Sequence, residues 1–366
     1  MSDFASAQAT GASPEAIADA LASQLHADGH TVGFLYVTSP LAAGFGRLVA
    51  ALRQRTNIDN WVGTAGHGVC ASGVEHWGGP AAVALTCRFA DGSYRLLPSV
   101  TDAKQPAPAR DPGFAAGLGV VHGDPRNGAV GDIVADLART HGAYLVGGLT
   151  SANSAFPQVA GNRIIEGGVS GILLGGRLNV AMGLTQGCTP VGPTHEVTAG
   201  EGQLLVTLDG RPAWDVLSED VGIAEGADPR RWLANVHAAL PVAGSRDADY
   251  VVRNLAGIDV GRGIVAIAAA IRPGDRVMFV RRDQDSAAKD LGRMLADLEG
   301  RVRGRAKAGL YFSCVARGPN LFEREAHELA AIREALGDIP LAGFFGNGEI
   351  SHDRVYGYTG VLTLFS

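Results

Sequence analysis

The chain has 366 residues, of which 46% are hydrophobic and 19% are charged. This composition excludes intrinsic disorder, because such a chain can bury enough apolar surface to offset the conformational entropy that it loses on folding. The length favours about two domains of ~150 residues each. The 31 basic and 37 acidic residues leave a net charge of −6, which argues against a nucleic-acid-binding or polybasic membrane protein.

The compartment is predicted from what the sequence lacks. Its four cysteines form no Cys-x-x-Cys pair, so neither a disulfide framework nor a structural zinc site is expected. No Lys or Arg precedes Arg47, so the basic region of a secretory signal is missing. The most apolar run, Gly263 to Ile271, is shorter than the ~20 residues of a membrane span. We expect a cytoplasmic protein without membrane contact.

The first predicted element is an amphipathic helix. It begins with Ser13 as N-cap, Pro14 at the first helical position and Glu15 in the first turn, three residues that suit a helix N-terminus. The dozen residues before it are small and polar, and we expect them to be frayed.

A strand, an amphipathic helix and a second strand ending in glycines then recur three times. The copies span Val32 to Val69, Gly119 to Ser151 and Gly309 to Ile350, each about the size of one βαβ unit. The alternation predicts an α/β protein. The glycine-rich turn Gly63 to Gly68 is followed by no convincing helix, so a Rossmann site is not predicted.

The sequence changes character between the second and third copies. Arg163 to Leu184 and Gly202 to Leu208 contain short, glycine-punctuated apolar segments, as in an antiparallel meander. A more polar stretch from Leu217 to Ala243 marks the predicted boundary between two lobes of mixed sheets. We therefore predict a leader and helix over residues 1–30, one domain over 31–217 and another over 218–366.

Two motifs of the third copy predict a binding site. Cys314 and Arg317-Gly318 follow its first strand, and Glu349 follows its second; parallel strands end at the same sheet edge, so the motifs should lie side by side. Arg317 would hold a ligand carboxylate and Glu349 an ammonium group, as suits a zwitterionic amino acid. The alternative is that Arg317 and Glu349 pair with each other and brace the lobe.

A rigid loop is a second candidate. Two prolines and two glycines fix the path of Gln186 to His195, and Cys188 and His195 offer sulfur and imidazole ligands. The alternative is a structural crossover between the lobes.

These motifs carry a family resemblance. The segments Tyr250 to Arg253, Gly309 to Gly318 (GLYFSCVARG) and Pro340 to Ile350 (PLAGFFGNGEI) resemble the FIST C domain. The strand ends at Val62-Gly63-Thr64 and Val146-Gly147-Gly148, with the loop Gln186 to Gly192, resemble the FIST N domain. The resemblance implies a sensory module that binds small ligands such as amino acids and acts with signalling enzymes, and it implies no catalytic triad.

Three functions follow as hypotheses. The first is a sensor whose two lobes hold a small polar metabolite and which needs no cofactor. The second is a haem-binding nitric-oxide sensor that controls a separate histidine kinase or cyclic-di-GMP enzyme, as the resemblance implies for some relatives, with His195, His67 or His352 as axial ligand. The third is an enzyme using Cys314 as nucleophile, its pKa lowered by Arg317. The predicted ligand-binding residues are Cys314, Arg317, Gly318, Gly343, Phe344, Asn347, Glu349, Cys188 and His195.

Overall fold

The computed structural model describes residues 3–104, 108–176, 178–224, 233, 235–242 and 249–366. The chain forms two compact units: unit 1 comprises Met1–Thr185 and Leu291–Ser366, and unit 2 comprises Gln186–Asp290. Unit 2 is therefore inserted into the chain of unit 1. The boundary predicted between residues 217 and 218 lies inside unit 2, so the predicted domains 31–217 and 218–366 differ from the compact units.

The helices begin and end where the sequence supplies caps. The Ser13 hydroxyl accepts a hydrogen bond from the Ala16 N–H at 3.2 Å, with Pro14 as first helical residue, as predicted. Gly142 ends the third helix at φ 61°, a left-handed conformation that glycine adopts without strain. None of the described helices has the length and hydropathy required to cross a membrane. The described helices are α1 (Pro14–Leu25), α2 (Phe45–Thr56), α3 (Val130–His141), α4 (Ala213–Val221), α5 (Gln284–Val302) and α6 (His327–Leu336).

The N-terminal residues form a strand, so the predicted frayed terminus is wrong. Strand β1 (Phe4–Thr10) pairs antiparallel with Ala81–Cys87 over its whole length, and Phe4 is buried. Alanine and serine give this segment little β-propensity, so its pairing partner rather than its composition determines its structure. The other strands of unit 1 are β2 (Val32–Thr38), β3 (Asn60–Gly66), β4 (Gly68–Ala71), β5 (Val74–Trp77), β6 (Ala81–Cys87), β7 (Tyr94–Val100), β8 (Ala116–Gly123), β9 (Tyr144–Leu149), β10 (Gln158–Gly161), β11 (Arg163–Ile165), β12 (Val169–Gly175), β13 (Val180–Gln186), β22 (Ala308–Cys314), β23 (Leu341–Gly346), β24 (Glu349–His352), β25 (Arg354–Tyr356) and β26 (Thr359–Phe365).

The three predicted strand–helix–strand units are present. In each, two parallel strands flank one helix: β2-α2-β3, β8-α3-β9 and β22-α6-β23. Each parallel pair lies inside a mixed six-stranded sheet of the described residues, in the orders β1-β6-β2-β3-β10-β11, β25-β24-β9-β8-β12-β7 and β13-β26-β22-β23-β4-β5. The predicted α/β class with mixed sheets is confirmed.

The three sheets exchange hairpins cyclically. The hairpin β4-β5 follows β3 but joins the β22-β23 sheet, β24-β25 follows β23 but joins the β8-β9 sheet, and β10-β11 follows β9 but joins the β2-β3 sheet. Gly63, Gly147 and Gly343 occupy the same place in the three copies, since a Cβ on each would lie 1.7, 1.8 and 1.7 Å from a carbonyl oxygen of the neighbouring parallel strand. Unit 1 is thus a threefold internal repeat.

The core between the sheets is centred on three equivalent aromatic rings. Tyr36, His122 and Phe312 lie near the carboxyl ends of β2, β8 and β22, with ring centroids 5.5 to 6.0 Å apart. Burial lowers the pKa of His122 to about 3, so its imidazole is neutral and packs as a core ring.

Unit 2 is antiparallel. Its strands are β14 (Cys188–Pro190), β15 (His195–Glu201), β16 (Leu204–Leu208), β17 (Arg211–Pro212), β18 (Val236–Pro241), β19 (Tyr250–Asp259), β20 (Ile264–Ile267) and β21 (Arg276–Arg282). Because β21 pairs with both β15 and β18, the strand path β21-β15-β16-β20-β19-β18 closes on itself. Helix α4 packs on this ring of strands through Val216 and Leu217, which are buried in the unit's own apolar core.

Candidate functional site

The two C-terminal motifs lie side by side, as the parallel-strand argument predicts. Strands β22 and β23 are parallel, and Cys314 at the end of the first registers with Gly346 at the end of the second. The turn after β22 is joined to this edge by a 2.8 Å hydrogen bond from the Val315 N–H to the Gly346 carbonyl. The edge is packed closely, and the side chains at it are largely enclosed.

Arg317 pairs with a carboxylate that the sequence analysis did not consider. Its side chain is fully buried, Nε donates to Glu328 Oε1 at 2.8 Å, and Nη2 lies 2.7 Å from the same oxygen. Glu328 also accepts hydrogen bonds from the Tyr311 and Ser313 hydroxyls and from the Gly318 N–H. This buried network makes Arg317 a brace between β22 and α6. The predicted bracing role is thus present with Glu328 in place of Glu349 as the partner, and the burial of Arg317 does not suit the predicted role as a fork for a ligand carboxylate.

Glu349 is also fully buried. Its Oε2 accepts hydrogen bonds from the Thr359 hydroxyl at 2.8 Å and the Thr359 N–H at 3.2 Å. Burial raises the pKa of Glu349 to about 8, against the opposing effects of Thr359 and Arg317. The carboxyl is therefore mostly protonated at pH 7, which does not suit it to pair with a ligand ammonium group.

The position equivalent to Glu349 in another copy of the internal repeat is held by a neutral amide. Glu349 opens β24 and Gln158 opens β10, at the same register against the equivalent strand of the neighbouring sheet. With its amide oriented to satisfy both groups, Gln158 donates to the Gly168 carbonyl and accepts from the Asp124 N–H, each at 3.1 Å. Gly168 immediately precedes the returning strand β12, as Thr359 begins the returning strand β26. A protonated glutamate thus occupies a position that an amide occupies in another copy.

Cys314 does not have the properties of an activated thiol. Burial raises its pKa, and the nearby Glu349 carboxyl raises it further, outweighing Arg317. Arg317 does act to lower the pKa of Cys314, as predicted, but burial and Glu349 outweigh it, so the predicted activated thiol is wrong. All four cysteines are free and buried.

The rigid loop belongs to unit 2, where His195 is held by two carboxylates. Its Nδ1 lies 2.6 Å from Asp209 Oδ2, and its Nε2 lies 2.9 Å from Asp220 Oδ2. Burial lowers the pKa of His195, but the two aspartates outweigh it and raise the value overall. Gly192 leaves room for this arrangement, since a Cβ there would lie 2.2 Å from the Asp220 carboxyl carbon.

Of the three histidines named in the haem hypothesis, His195 does not fit the role of axial ligand. Both ring nitrogens of His195 are engaged, so neither can ligate iron without breaking an ion pair. His352 is exposed, with its Nδ1 3.1 Å from Asp353, and His67 lies in the turn between β3 and β4. Cys188 is buried in β14, opposite Arg282 of β21. Among the described residues, no group of three or more His, Cys, Asp or Glu side chains could hold a metal ion.

Burial separates the predicted site residues into structural and accessible ones. Asn347 is exposed, whereas the other eight are buried. Gly318 lies directly against two aromatic rings. A Cβ on Gly318 would lie 2.9 Å from the Phe345 ring and 3.0 Å from the Trp77 indole. The Trp77 and Phe345 rings pack at 4.4 Å between centroids. The glycine of the Cys-x-x-Arg-Gly motif therefore provides space for Trp77.

Trp77 lines an accessible cavity of about 450 Å³. This volume is within the range of small-ligand pockets, about 300–1,000 Å³. The cavity lies where the end of β1, the strand β5 and the turn before β6 meet, all in unit 1. Its lining residues are Thr10, Gly11, Ala12, Glu75, His76, Trp77, Gly79, Pro80 and Ala81.

Glu75 is the ionisable group of interest in this cavity. Its Oε2 accepts a hydrogen bond from Trp77 Nε1 at 3.1 Å, whereas its buried Oε1 has no partner among the described residues. Burial raises the pKa of Glu75 to about 7; the Trp77 bond opposes this, and Glu328 and Glu325 add to it. A half-buried carboxyl with a free oxygen beside an indole ring is a suitable acceptor for an ammonium group.

Neither Glu75 nor Trp77 is among the site residues predicted from the sequence. Both lie on β5, the outer strand of a hairpin that joins the sheet of another copy. Their neighbours Phe345 and Gly318 are more than 200 residues away in sequence. The one local signal is a tryptophan directly before Gly78-Gly79-Pro80, a large ring next to a tight turn.

Comparison with known proteins agrees with the motif resemblance. The FIST N domain model matches residues 31–211, and the FIST C domain model matches residues 213–352. An uncharacterized protein of Mycobacterium bovis is 34% identical over 217 residues, covering 55% of this chain and 54% of the relative. An uncharacterized Mycobacterium tuberculosis protein is 32% identical over 215 residues, covering 55% of each. The chain spans about half the length of the curated relatives it matches.

Proposed function

This chain belongs to the FIST family, a family of sensory domains, and we propose that it is a signal-transduction sensor for a small polar metabolite that carries an amine. Amino acids are the first class to test. The observation that supports the proposal is that Glu75, whose buried Oε1 has no partner among the described residues, lines the cavity beside Trp77.

Two physical features favour an amine over an anion or an apolar ligand. A carboxylate attracts an ammonium group, and the face of an indole ring adds a cation–π attraction of about 0.5–2 kcal/mol. No described residue lining the cavity is Lys or Arg, so the ligand's cationic group meets no like charge. The exposed Thr10 and the half-buried His76 supply polar groups on other sides of the cavity.

The position of the cavity suits a sensor. Trp77 packs on Phe345 of β23 and over Gly318, which donates its N–H to Glu328 in the buried Arg317 network. A ligand that moves the indole ring therefore acts on residues at the carboxyl ends of β22 and β23. This provides a short path from the cavity to the core of unit 1.

Thermal-shift measurements test the proposal. The panel pairs amino acids and simple amines with analogues that have a hydroxyl in place of the amine. A ligand at 100 times its Kd should add about 2.7 kcal/mol of stability. We expect a shift with an amine and not with its hydroxyl analogue. Glu75→Gln should abolish the shift, whereas Glu201→Gln, at an exposed position in unit 2, should retain it. The absence of any amine-dependent shift, or its survival in Glu75→Gln, would contradict the proposal.

A further inference from the structure

A second and larger cavity in unit 1 has the opposite electrostatic character. It is a cleft of about 890 Å³ where the start of β13, the end of α5 and the start of β22 meet. Arg301, Arg305 and Lys307 line it, and none of its described lining residues has an acidic side chain. Asp297 lies beside Arg301 and offsets one of the three cations, so the cleft keeps a positive balance in a chain with a net charge of −6 and is locally basic.

The backbone brings the three cations together. Helix α5 ends at Val302, and the next two residues have positive φ angles, 51° at Arg303 and 70° at Gly304. These left-handed residues reverse the chain. Arg301, at the end of the helix, and Arg305, after the turn, therefore line the same cleft.

Hydrogen bonds within the protein occupy only some of the N–H donors of these cations. Arg301 Nη1 donates to the Met182 carbonyl at 2.8 Å and lies 3.3 Å from Asp297, and Arg305 Nε donates to the Val302 carbonyl at 3.3 Å. A guanidinium has five N–H donors, so most of them stay available at each arginine. The Lys307 side chain is exposed.

The cleft also has apolar lining. Val302 is buried in the core beneath α5, and Leu178 and Val180 are partly buried and pack against the central core. A cleft with an apolar wall and a cluster of cations fits an organic anion better than a bare inorganic ion, since only the organic anion covers the apolar wall.

We propose that this cleft is a second ligand site, separate from the Trp77 cavity, which binds a phosphorylated organic molecule. Guanidinium forks match the oxygen geometry of a phosphate group, and a lysine adds a point charge. The organic part of the ligand lies against Leu178, Val180 and Val302. The sensor then responds to two chemically different signals, an amine and a phosphate ester.

Titration calorimetry on the full chain at low salt tests this proposal, with phenyl phosphate as probe and inorganic phosphate as comparison. We expect phenyl phosphate to bind at least tenfold more tightly than inorganic phosphate. The double variant Arg305→Gln/Lys307→Gln should weaken phenyl phosphate binding at least tenfold. Arg303→Gln removes the same kind of charge from the same segment but lies outside the lining, so it should leave binding unchanged.

Each other outcome counts against the proposal. Equal affinity for the two phosphates would show that the apolar wall takes no part. An equal loss of phenyl phosphate affinity in Arg303→Gln would show that binding depends on general charge attraction and not on the cleft. Undetectable phenyl phosphate binding at millimolar concentration would overturn the site altogether. Because the Trp77 cavity shares none of these residues, either site can fail while the other stands.

Discussion

Replacing Glu349 with glutamine should flatten the dependence of stability on pH. The ordinary pKa of this side chain is 4.5, and in the fold it is raised to about 8. A raised pKa means that the folded state binds the proton more tightly than the unfolded state does. The resulting stabilisation is fully present below pH 4.5 and is lost as the pH rises through 8.

The structure sets the size of this effect. A difference of 3.5 between the two pKa values corresponds to about 5 kcal/mol, at about 1.4 kcal/mol for each unit. About 2 kcal/mol of it is lost between pH 6 and pH 8. Glutamine keeps an oxygen to accept the Thr359 hydrogen bonds and does not ionise, and Gln158 shows that an amide fits the equivalent position.

Urea unfolding of the wild type and Glu349→Gln, at half-unit steps from pH 5.5 to 9, measures the difference. We expect the wild type to lose about 2 kcal/mol relative to the variant between pH 6 and pH 8. Glu334→Gln, at an exposed position on α6, is the matched control and should follow the wild type. Parallel curves for the wild type and Glu349→Gln would refute the reasoning, because they would mean that Glu349 is ionised in the fold.

Three further changes test the structural roles assigned above. Arg317→Met should destabilise unit 1 by about 3–5 kcal/mol in chemical denaturation, because it leaves the buried Glu328 carboxylate unpaired; adding Glu328→Gln should recover part of this loss, and full stability of the single variant would contradict the brace. Gly343→Ala should yield insoluble protein on expression, since its Cβ would lie 1.7 Å from a carbonyl oxygen of the neighbouring strand, whereas Gly131→Ala, with nothing within 4 Å, should stay soluble. The pKa of His195 is raised, so the wild type should be stabilised relative to His195→Gln at acidic pH and lose that advantage as the pH rises; thermal unfolding at pH 6 and pH 8 that showed the reverse trend would contradict it.

Local patterns sufficed to predict the three strand–helix–strand units. Helix caps such as Ser13, apolar periodicity and glycine-rich strand ends are properties of short segments, and they specify short-range structure. The adjacency of Cys314 and Glu349 followed from the topology of parallel strands alone. These predictions needed no knowledge of distant contacts.

The features that the sequence analysis missed depend on long-range pairing. Strand β1 exists because it pairs with β6, about 75 residues away, and its alanines and serines do not reveal this. The hairpin that carries Glu75 and Trp77 joins a sheet built from the other end of the chain. The sequence does not single out Glu328, because one glutamate in the first turn of a helix is usually a solvated residue. Only the fold shows that Glu328 is buried beside Arg317.

The most direct measurement of the central claim is proton release on ligand binding at the Trp77 cavity. At pH 7 about half of the Glu75 carboxyls are protonated, given a pKa of about 7, and an ammonium group binding beside it favours the ionised form. Calorimetry with the amino acid giving the largest thermal shift, in two amine-free buffers of different ionisation enthalpy, should therefore report release of about 0.5 proton per ligand in the wild type. Glu75→Gln should bind weakly and release none. Tight binding without proton release, or with equal release in Glu75→Gln, would contradict the assignment of Glu75 as the amine acceptor.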